Sequence, residues 1–520
     1  MRVYKFVLLL FFTFLAFTIA QAQPADQPDM EDVYAPGSPK REFRGVWIAT
    51  VVNIDWPSNS KALPESQQKE LVNILSIHQQ TGINAVMLQV RPAADALYAK
   101  SFEPWSKYLT GQQGRAPYPA YDPLEFAINE AHKRGMELHA WFNPYRATFD
   151  GNFNALSTDH ITRLKPEWFF TYGGIKLFNP GIPEVREYIV KVILNVVKNY
   201  DVDGIHLDDY FYPYQISGQH IDDEETFETY GQDFDDIRDW RRNNVDILIK
   251  MLGDSIHKHK PYLKFGVSPF GIWANKYQNP EGSASNGGSS YYENYADTRK
   301  WIQEGWIDYI NPQLYWPIGN RAAAFDKLLD WWGQNTFNRH LYIGQAPYRI
   351  LERKTAAFRN PAELPNQVNL LRTNPRVQGS IYFSSTSLLR NPLGFADSLR
   401  TNFYRHPALP PVMLWLDSVP PNVPRNFTIR PSLNGISLKW SEPLPAHDKE
   451  PVYGYVIYRF DEGEKTDIND PKNILHIQYG TDLFYEDRIA KKNANYLYVI
   501  TAIDRLKNES DRSPAIAASY

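Results

Sequence analysis

Val202-Asp-Gly-Ile-His-Leu-Asp-Asp-Tyr210 is a short run in which apolar and polar side chains alternate, bracketed by two long amphipathic stretches, 183–200 and 235–259. Alternation with period two marks a strand with unlike faces, and the 3.6-residue periodicity beside it marks helices. Working outward, the same unit recurs along the chain. Strands are predicted at Arg44–Thr50, Ile83–Arg91, Met136–Asn143, Val202–Tyr210, Lys264–Pro269, Ile307–Tyr315, Leu341–Gln345 and Gly379–Ser385. Helices follow them at about 66–81, 123–134, 183–200, 235–259, 296–304, 325–334, 361–372 and 392–403. Strands alternating with helices pair in parallel through right-handed crossovers, and eight such units close into a (β/α)8 TIM-type barrel, an α/β fold. An open doubly wound sheet is the alternative, but no glycine-rich phosphate loop follows the first strand.

Composition sets the outer limits. The 520 residues carry a formal charge of −4, with 43% hydrophobic and 22% charged side chains, which are ordinary globular values. A mildly acidic chain without a long basic run argues against nucleic acid or an anionic membrane as the main partner. There is no cysteine, so disulfides, thiolate metal sites and a cysteine nucleophile are excluded.

The amino terminus reads as an address. Arg2 and Lys5 precede an apolar run from Phe6 to Ala20, and Ala20-Gln21-Ala22 supplies a small-x-small cleavage pattern. Residues 1–22 are therefore expected to be a secretory signal, the alternative being an uncleaved anchor, and the mature chain to be periplasmic or extracellular with no later membrane span. A mobile leader is predicted at 23–40, the barrel at 41–406 and a Pro-rich linker at 407–424. Short strands at Gly435–Trp440, Tyr453–Phe460, Ile474–Gln478, Asn495–Asp504 and Arg512–Ala518 make 425–520 a small β-sandwich. It resembles a fibronectin type III module, with Tyr496 in the position of its tyrosine corner. What the sandwich touches is left open.

In such a barrel the active site lies at the carboxyl ends of the strands. With Ile205 and Leu207 facing the helices, alternation points His206 and Asp208 inward and leaves Asp209 and Tyr210 at the mouth. It likewise sends His139, Trp141 and Asn143, then Asn311, Gln313 and Tyr315, into the lumen, with Arg91 and Gln345 completing the set. So many polar groups at one end suit a polyhydroxylated ligand. Each also has a plainer role open to it: His139 and His206 as satisfied core histidines, Arg91 as the partner of an acid. The pair Asp208-Asp209 is the hardest to explain structurally, because adjacent buried carboxylates repel unless one keeps its proton.

Several motifs carry a wider likeness. Glu42-Phe-Arg-Gly-Val-Trp-Ile-Ala-Thr50, Asn53-Ile-Asp-Trp-Pro57, Gln89-Val-Arg-Pro-Ala-Ala-Asp-Ala-Leu-Tyr98, His139-Ala-Trp-Phe-Asn-Pro-Tyr145, Asn179-Pro-Gly181 and Asp203–Pro213 together resemble the glycosyl-hydrolase-like family 10 barrels of bacteria. The resemblance spans roughly 41–406. It implies a glycoside hydrolase of the cell envelope. A Gram-negative relative acts on peptidoglycan strands stripped of their peptides, which points to a β-linked N-acetylhexosamine polymer as substrate.

Glycosidases ordinarily use two carboxyl groups, about 5–5.5 Å apart for retention or about 6.5–9.5 Å for inversion. Asp208 and Asp209 are consecutive and would oppose each other in an extended strand, so they form a couple only if the strand breaks. Either a second acid comes from a loop, with Asp95, Glu103 and Asp55 as candidates, or the substrate's own acetamido group attacks. Asp208 is assigned as nucleophile or acetamido orienter and Asp209 as general acid, with the reverse left open. No cofactor and no metal is expected. The rival readings are a metal-dependent deacetylase or hydrolase chelating through His206, Asp208 and His139, and a glycan-binding barrel without catalysis.

Overall fold

The computed structural model describes residues 38–520. The expected signal segment and most of the leader lie outside them. Eight parallel strands close into a barrel in chain order: β1 (Phe43–Ile48), β2 (Ala85–Arg91), β3 (Glu137–Phe142), β4 (Gly204–Leu207), β5 (Lys264–Val267), β6 (Tyr309–Ile310), β7 (His340–Gln345) and β8 (Val377–Tyr382), which returns to β1. The outer ring is α1 (Pro64–Thr81), α2 (Pro123–His132), α3 (Pro183–Asn199), α4 (Ile237–His259), α5 (Thr298–Gln303), α6 (Phe325–Gly333), α7 (Glu363–Thr373) and the short α8 (Phe395–Ser398), continued by a π turn over Leu399–Phe403. Local chemistry sets the ends. Asp122 caps α2 by accepting the Leu124 and Glu125 N–H groups, with Pro123 in the first turn. Gly82 ends α1 at φ 90°, where a side chain would also strike Tyr404.

Strand alternation separates two cores. Val46, Ile48, Val86, Leu88, Leu138, Ala140, Ile205 and Leu207 pack outward under the helices. Phe43, Trp47, Met87, Trp141, Tyr309 and Tyr342 fill the lumen. Gly204 and Gly266 make room for that filling, since a Cβ at either would overlap the ring of His139 or Tyr309. Most barrel strands are shorter than their sequence patterns predict, two of them most of all. Regular pairing in β6 stops at Ile310 rather than Tyr315, because Pro312 has no N–H to offer a ladder. Its carbonyl instead accepts the N–H groups of Gly344 and Leu314, and isolated bridges at Gln313 carry the chain onward. The fourth strand stops at Leu207, short of Tyr210.

Seven further strands form the C-terminal β-sandwich: β9 (Arg425–Ser432), β10 (Gly435–Ser441), β11 (Gly454–Asp461), β12 (Ile474–Tyr479), β13 (Phe484–Asp487), β14 (Asn495–Ile503) and β15 (Ile516–Ser519). One sheet runs β9-β10-β13 and the other β12-β11-β14-β15. Trp440 packs edge-on against Tyr455 between them, and the Tyr496 hydroxyl accepts the Lys491 N–H at 3.1 Å. The strands β9 and β13 escape the sequence reading because their apolar faces are only one or two half-buried side chains long, Phe427 and Ile429 in one and Tyr485 in the other.

The sandwich and the barrel are joined through the barrel floor. Leu506 enters the lumen cluster, and the fully buried Lys507 Nζ lies 3.0 Å from Glu137 Oε1, which Lys264 also holds at 2.6 Å. The two lysines overcome the burial penalty on Glu137 and keep its carboxyl well below the usual range. The Tyr453 hydroxyl donates to Asp203 at 3.1 Å. The segment 407–424 lies across the same floor, burying Met413 and donating from Trp415 Nε1 to Asp308 at 2.9 Å. Among the described residues no helix is long and apolar enough to cross a membrane. Removing one partner of a buried charge cluster leaves the rest uncompensated, so Lys264→Met should lower unfolding stability by about 3 kcal/mol. Lys107→Met, which breaks the exposed pair with Asp150, should change it by less than about 1 kcal/mol. Denaturant midpoints of the two variants test the contrast, and equal losses would refute it.

Candidate active site

The site begins where β4 ends. The Leu207 carbonyl accepts the Ser268 N–H at 2.8 Å, the last rung between β4 and the strand beside it. The chain then bends. The Asp208 carboxylate accepts the Tyr210 N–H at 3.3 Å, and the Asp209 carbonyl accepts the Phe211 N–H at 3.1 Å. In a continued strand these two side chains would face opposite ways. The bend instead puts both in the wall of one cavity of about 300 Å³ at the carboxyl end of the barrel. Asp208 is 5% exposed and Asp209 9%.

Neighbouring loops hold the pair. Trp141 Nε1 and Asn143 Nδ2 both donate to Asp208 Oδ2, at 3.0 and 3.1 Å. Asn143 is itself oriented, because its Oδ1 accepts the Arg146 N–H at 2.9 Å. Asp209 accepts from the Tyr214 hydroxyl and from Gln313, whose amide nitrogen also reaches the Ser268 carbonyl at 3.1 Å. Tyr210 and Tyr315 line the opening, with the Arg146 guanidinium 4.1 Å above the Tyr210 ring.

Of the residues singled out in the sequence, the cavity wall thus gathers Asp208, Asp209, Trp141, Tyr210, Gln313 and Tyr315, with Asn143 buried directly behind Asp208. Others lie elsewhere. Arg91 is buried in a two-pronged pair with Glu103, at 2.6 Å to each oxygen, and also donates to the Asn143 carbonyl at 2.7 Å. It braces the loop below the cavity instead of facing it, and Glu103 is spent in the same contact. Asp55 accepts from the Ala49 N–H, the Ser384 hydroxyl and the Thr386 N–H, tying the loop after β1 to the loop after β8. Asp95 is buried beside Gln113 in a separate narrow pocket of about 20 Å³. Asn311 and Gln345 are fully buried and absent from the wall, Gln345 donating to Gln367 at 3.2 Å.

His139 and His206 sit beneath the cavity in a hydrogen-bonded column. Trp47 Nε1–H can only donate, so at 3.1 Å it makes His206 Nε2 an acceptor. A neutral His206 must then donate from Nδ1 to the Tyr309 oxygen at 3.0 Å. The Tyr309 hydroxyl in turn donates to His139 Nδ1 at 2.9 Å, and His139 Nε2–H donates to Glu137 at 3.2 Å. Burial lowers the pKa of both rings, consistent with the neutral tautomers this order requires. Every ring nitrogen is engaged, so the proposed chelate of His206, Asp208 and His139 does not form. Trp47, Arg146 and Tyr214 were missed in the sequence. Arg146 directly follows His139–Tyr145 and Tyr214 follows Pro213, so each sits one residue past a motif of the family resemblance.

Residues 42–358 match the family described as glycosyl hydrolase-like 10. The chain is 47% identical over 481 residues to glycosyl hydrolase YngK of Bacillus subtilis, covering 91% of this chain and 92% of that one. The chain belongs to the glycosyl hydrolase-like 10 family. It is also 39% identical over 364 residues to glycosyl hydrolase DigH of Escherichia coli, covering 66% of this chain and 82% of the relative. Among solved structures it is similar to α-L-fucosidase isoenzyme 2 from Paenibacillus thiaminolyticus, at 12% identity and a TM-score of 0.45 over 69% of this chain and 49% of that one.

The protein is thus a glycoside hydrolase, and the electrostatics of its cavity suit proton transfer. Burial first, and the adjacent Asp209 charge second, push the Asp208 carboxyl up to about 7, against the pull of Arg146 and the Trp141 donor. Burial also raises Asp209, opposed by Tyr214, Gln313 and Arg146. The two behave as one coupled pair that keeps a proton near neutrality. A pair that gives the leaving oxygen the proton glycoside hydrolysis consumes makes kcat/KM fall as pH rises through about 7, and a flat pH–rate profile there would exclude it as that donor. Arg146 favours the ionised forms. Arg146→Met therefore raises both carboxyls and should move the alkaline limb of the pH–rate profile to higher pH. An unmoved limb would show that Arg146 does not act on the pair.

Proposed function

We propose that this glycosidase cleaves a β-linked N-acetylhexosamine polymer, such as peptidoglycan glycan strands freed of their peptides, with the substrate's acetamido oxygen as the nucleophile. The observation that carries this reading is that, among the described residues lining the cavity, Asp208 and Asp209 are the only carboxylates. The two-carboxylate mechanisms need acids on opposite faces of the scissile bond. Consecutive residues on one wall do not bracket a sugar that way, and Asp55 and Glu103 are held by their own partners. The missing nucleophile then comes from the substrate.

In this mechanism Asp208 accepts the acetamido N–H alongside Trp141 and Asn143, which favours its anion and leaves the shared proton on Asp209. The acetamido oxygen attacks C1 as the C1–O bond breaks, and Asp209 gives its proton to the departing oxygen. An oxazolinium ring results. Asp209, now anionic, deprotonates a water that opens the ring, giving net retention. Tyr315 and Gln313 hold the sugar, and the rings of Trp141 and Tyr210 supply its apolar faces. On the same reading the chain is exported, as Arg2, Lys5 and the Ala20-Gln21-Ala22 pattern suggest, and the sandwich is a fibronectin type III-like module whose corner tyrosine is Tyr496.

Product analysis by mass spectrometry on peptide-free glycan strands tests the substrate. Asp209→Asn should lower kcat/KM on the glycan by about 10²–10⁴-fold, yet leave kcat/KM little changed on an aryl 2-acetamido glycoside whose leaving group needs no protonation, because kcat/KM there reports C1–O cleavage and not the later water attack that Asp209 also assists. Asp208→Asn should lose both. A variant Asp209→Asn equally impaired on both substrates would remove Asp209 from the acid role.

A further inference from the structure

At the junction of barrel and sandwich, away from the cavity, four carboxylates converge from three separate segments. Asp417 belongs to the strap that crosses the barrel floor, Asp448 and Glu450 to the loop between β10 and β11, and Asp504 follows β14. Carboxylate oxygens of Asp417, Asp448 and Glu450 all lie within 4.8 Å of one another. Asp504 lies beside that group of three, 1% exposed, with its carboxylate in contact with that of Asp417 and its charge acting on Glu450.

A cluster of acids on a surface is common, but Asp504 is not on the surface. Its Oδ1 accepts the Asn508 N–H at 2.9 Å, while its Oδ2 is buried with no hydrogen-bond partner. A buried carboxylate oxygen without a donor, beside a second carboxylate, is costly unless positive charge is supplied. Among the described residues none of the four acids makes an ion pair. Asn508 Nδ2 donates to Asp417 at 3.1 Å, and Glu450 N–H to Asp448 at 3.0 Å, which satisfies single oxygens without neutralising charge. Burial and the charges of Asp504, Asp417 and Asp448 push the Glu450 carboxyl up to about 7.

We propose that Asp417, Asp448, Glu450 and Asp504 form a calcium-binding site that locks the sandwich onto the barrel floor. The donors are all oxygens, which suits a hard cation and not zinc, whose sites draw on nitrogen and sulfur. Four carboxylates, each able to bind through one or both oxygens, fill the six to eight positions calcium takes in irregular geometry, whereas magnesium demands a near-ideal octahedron. Asp448 is exposed and gives the ion a way in. The position links the ion to the fold. Asp504 starts the turn that carries Leu506 and Lys507 into the lumen, and the Lys507 N–H bonds back to its carbonyl at 3.2 Å. An ion here pins the strap, the sandwich loop and that turn at one point.

The test titrates CaCl2 into the chelator-treated full chain by calorimetry and follows its melting temperature with and without the ion. Saturable binding of one ion per chain, with a rise of several degrees in melting temperature, is expected. Asp448→Asn and Asp504→Asn should each abolish both responses while melting no lower than the wild type in chelator, because each relieves repulsion when no ion is present. Absence of saturable binding up to millimolar calcium in the wild type would overturn the proposal. So would a calcium response that survives both substitutions together.

Discussion

The end of pairing in β4 after Leu207 is the constraint on which the site depends. A strand continued through Tyr210 would send one of two consecutive aspartates outward, under the helices. The bend turns both into one small cavity, at the cost of bringing like charges together in a place with little water. The surroundings are arranged against that cost. Trp141 and Asn143 donate to one acid, Tyr214 and Gln313 to the other, and the Arg146 guanidinium offsets the charge of both. What remains is a pair that holds a proton where most carboxyl groups have lost it.

The floor of the same barrel fixes the wall above it. Glu137, anionic between Lys264 and Lys507, sets the direction of a hydrogen-bonded column through His139, Tyr309 and His206 to the indole of Trp47. From His139 up to Trp47 each donor in that column has one acceptor and each acceptor one donor, so no ring in it is free to flip without breaking a contact. Lys507 comes from the sandwich. The C-terminal domain therefore contributes a charge to the base of the column whose top lines the cavity, and the two domains are parts of one packed structure rather than beads on a tether.

Much of this was legible in the sequence, and the exceptions have physical reasons. The eight strand–helix units were readable because helix and strand periods differ. The inward and outward faces were readable because Ile205 and Leu207, or Leu138 and Ala140, declare the apolar side. Alternation says which way a side chain points, not how high in the lumen it sits. That is why His139 and His206 point inward yet lie below the cavity. Strand position points Arg91 toward the ligand although its partner Glu103 is only twelve residues away, because pairing across a loop has no periodic signature. Tyr315 and Gln313 line the cavity even though β6 ends before them, since Pro312 breaks the ladder while single bridges keep the chain on course. Arg146 and Tyr214 stand just past the motifs, on loops where spacing carries no directional information.

The central claim is that the chemistry runs on two neighbouring aspartates and a nucleophile supplied by the sugar. The most direct measurement of it is the rate of hydrolysis of aryl 2-acetamido glycosides in which the acetyl methyl carries zero, one, two or three fluorines. Each fluorine withdraws electron density from the acetamido oxygen. The account predicts a steep, monotonic fall in kcat/KM along the series, and rates that stay level across it would contradict the account.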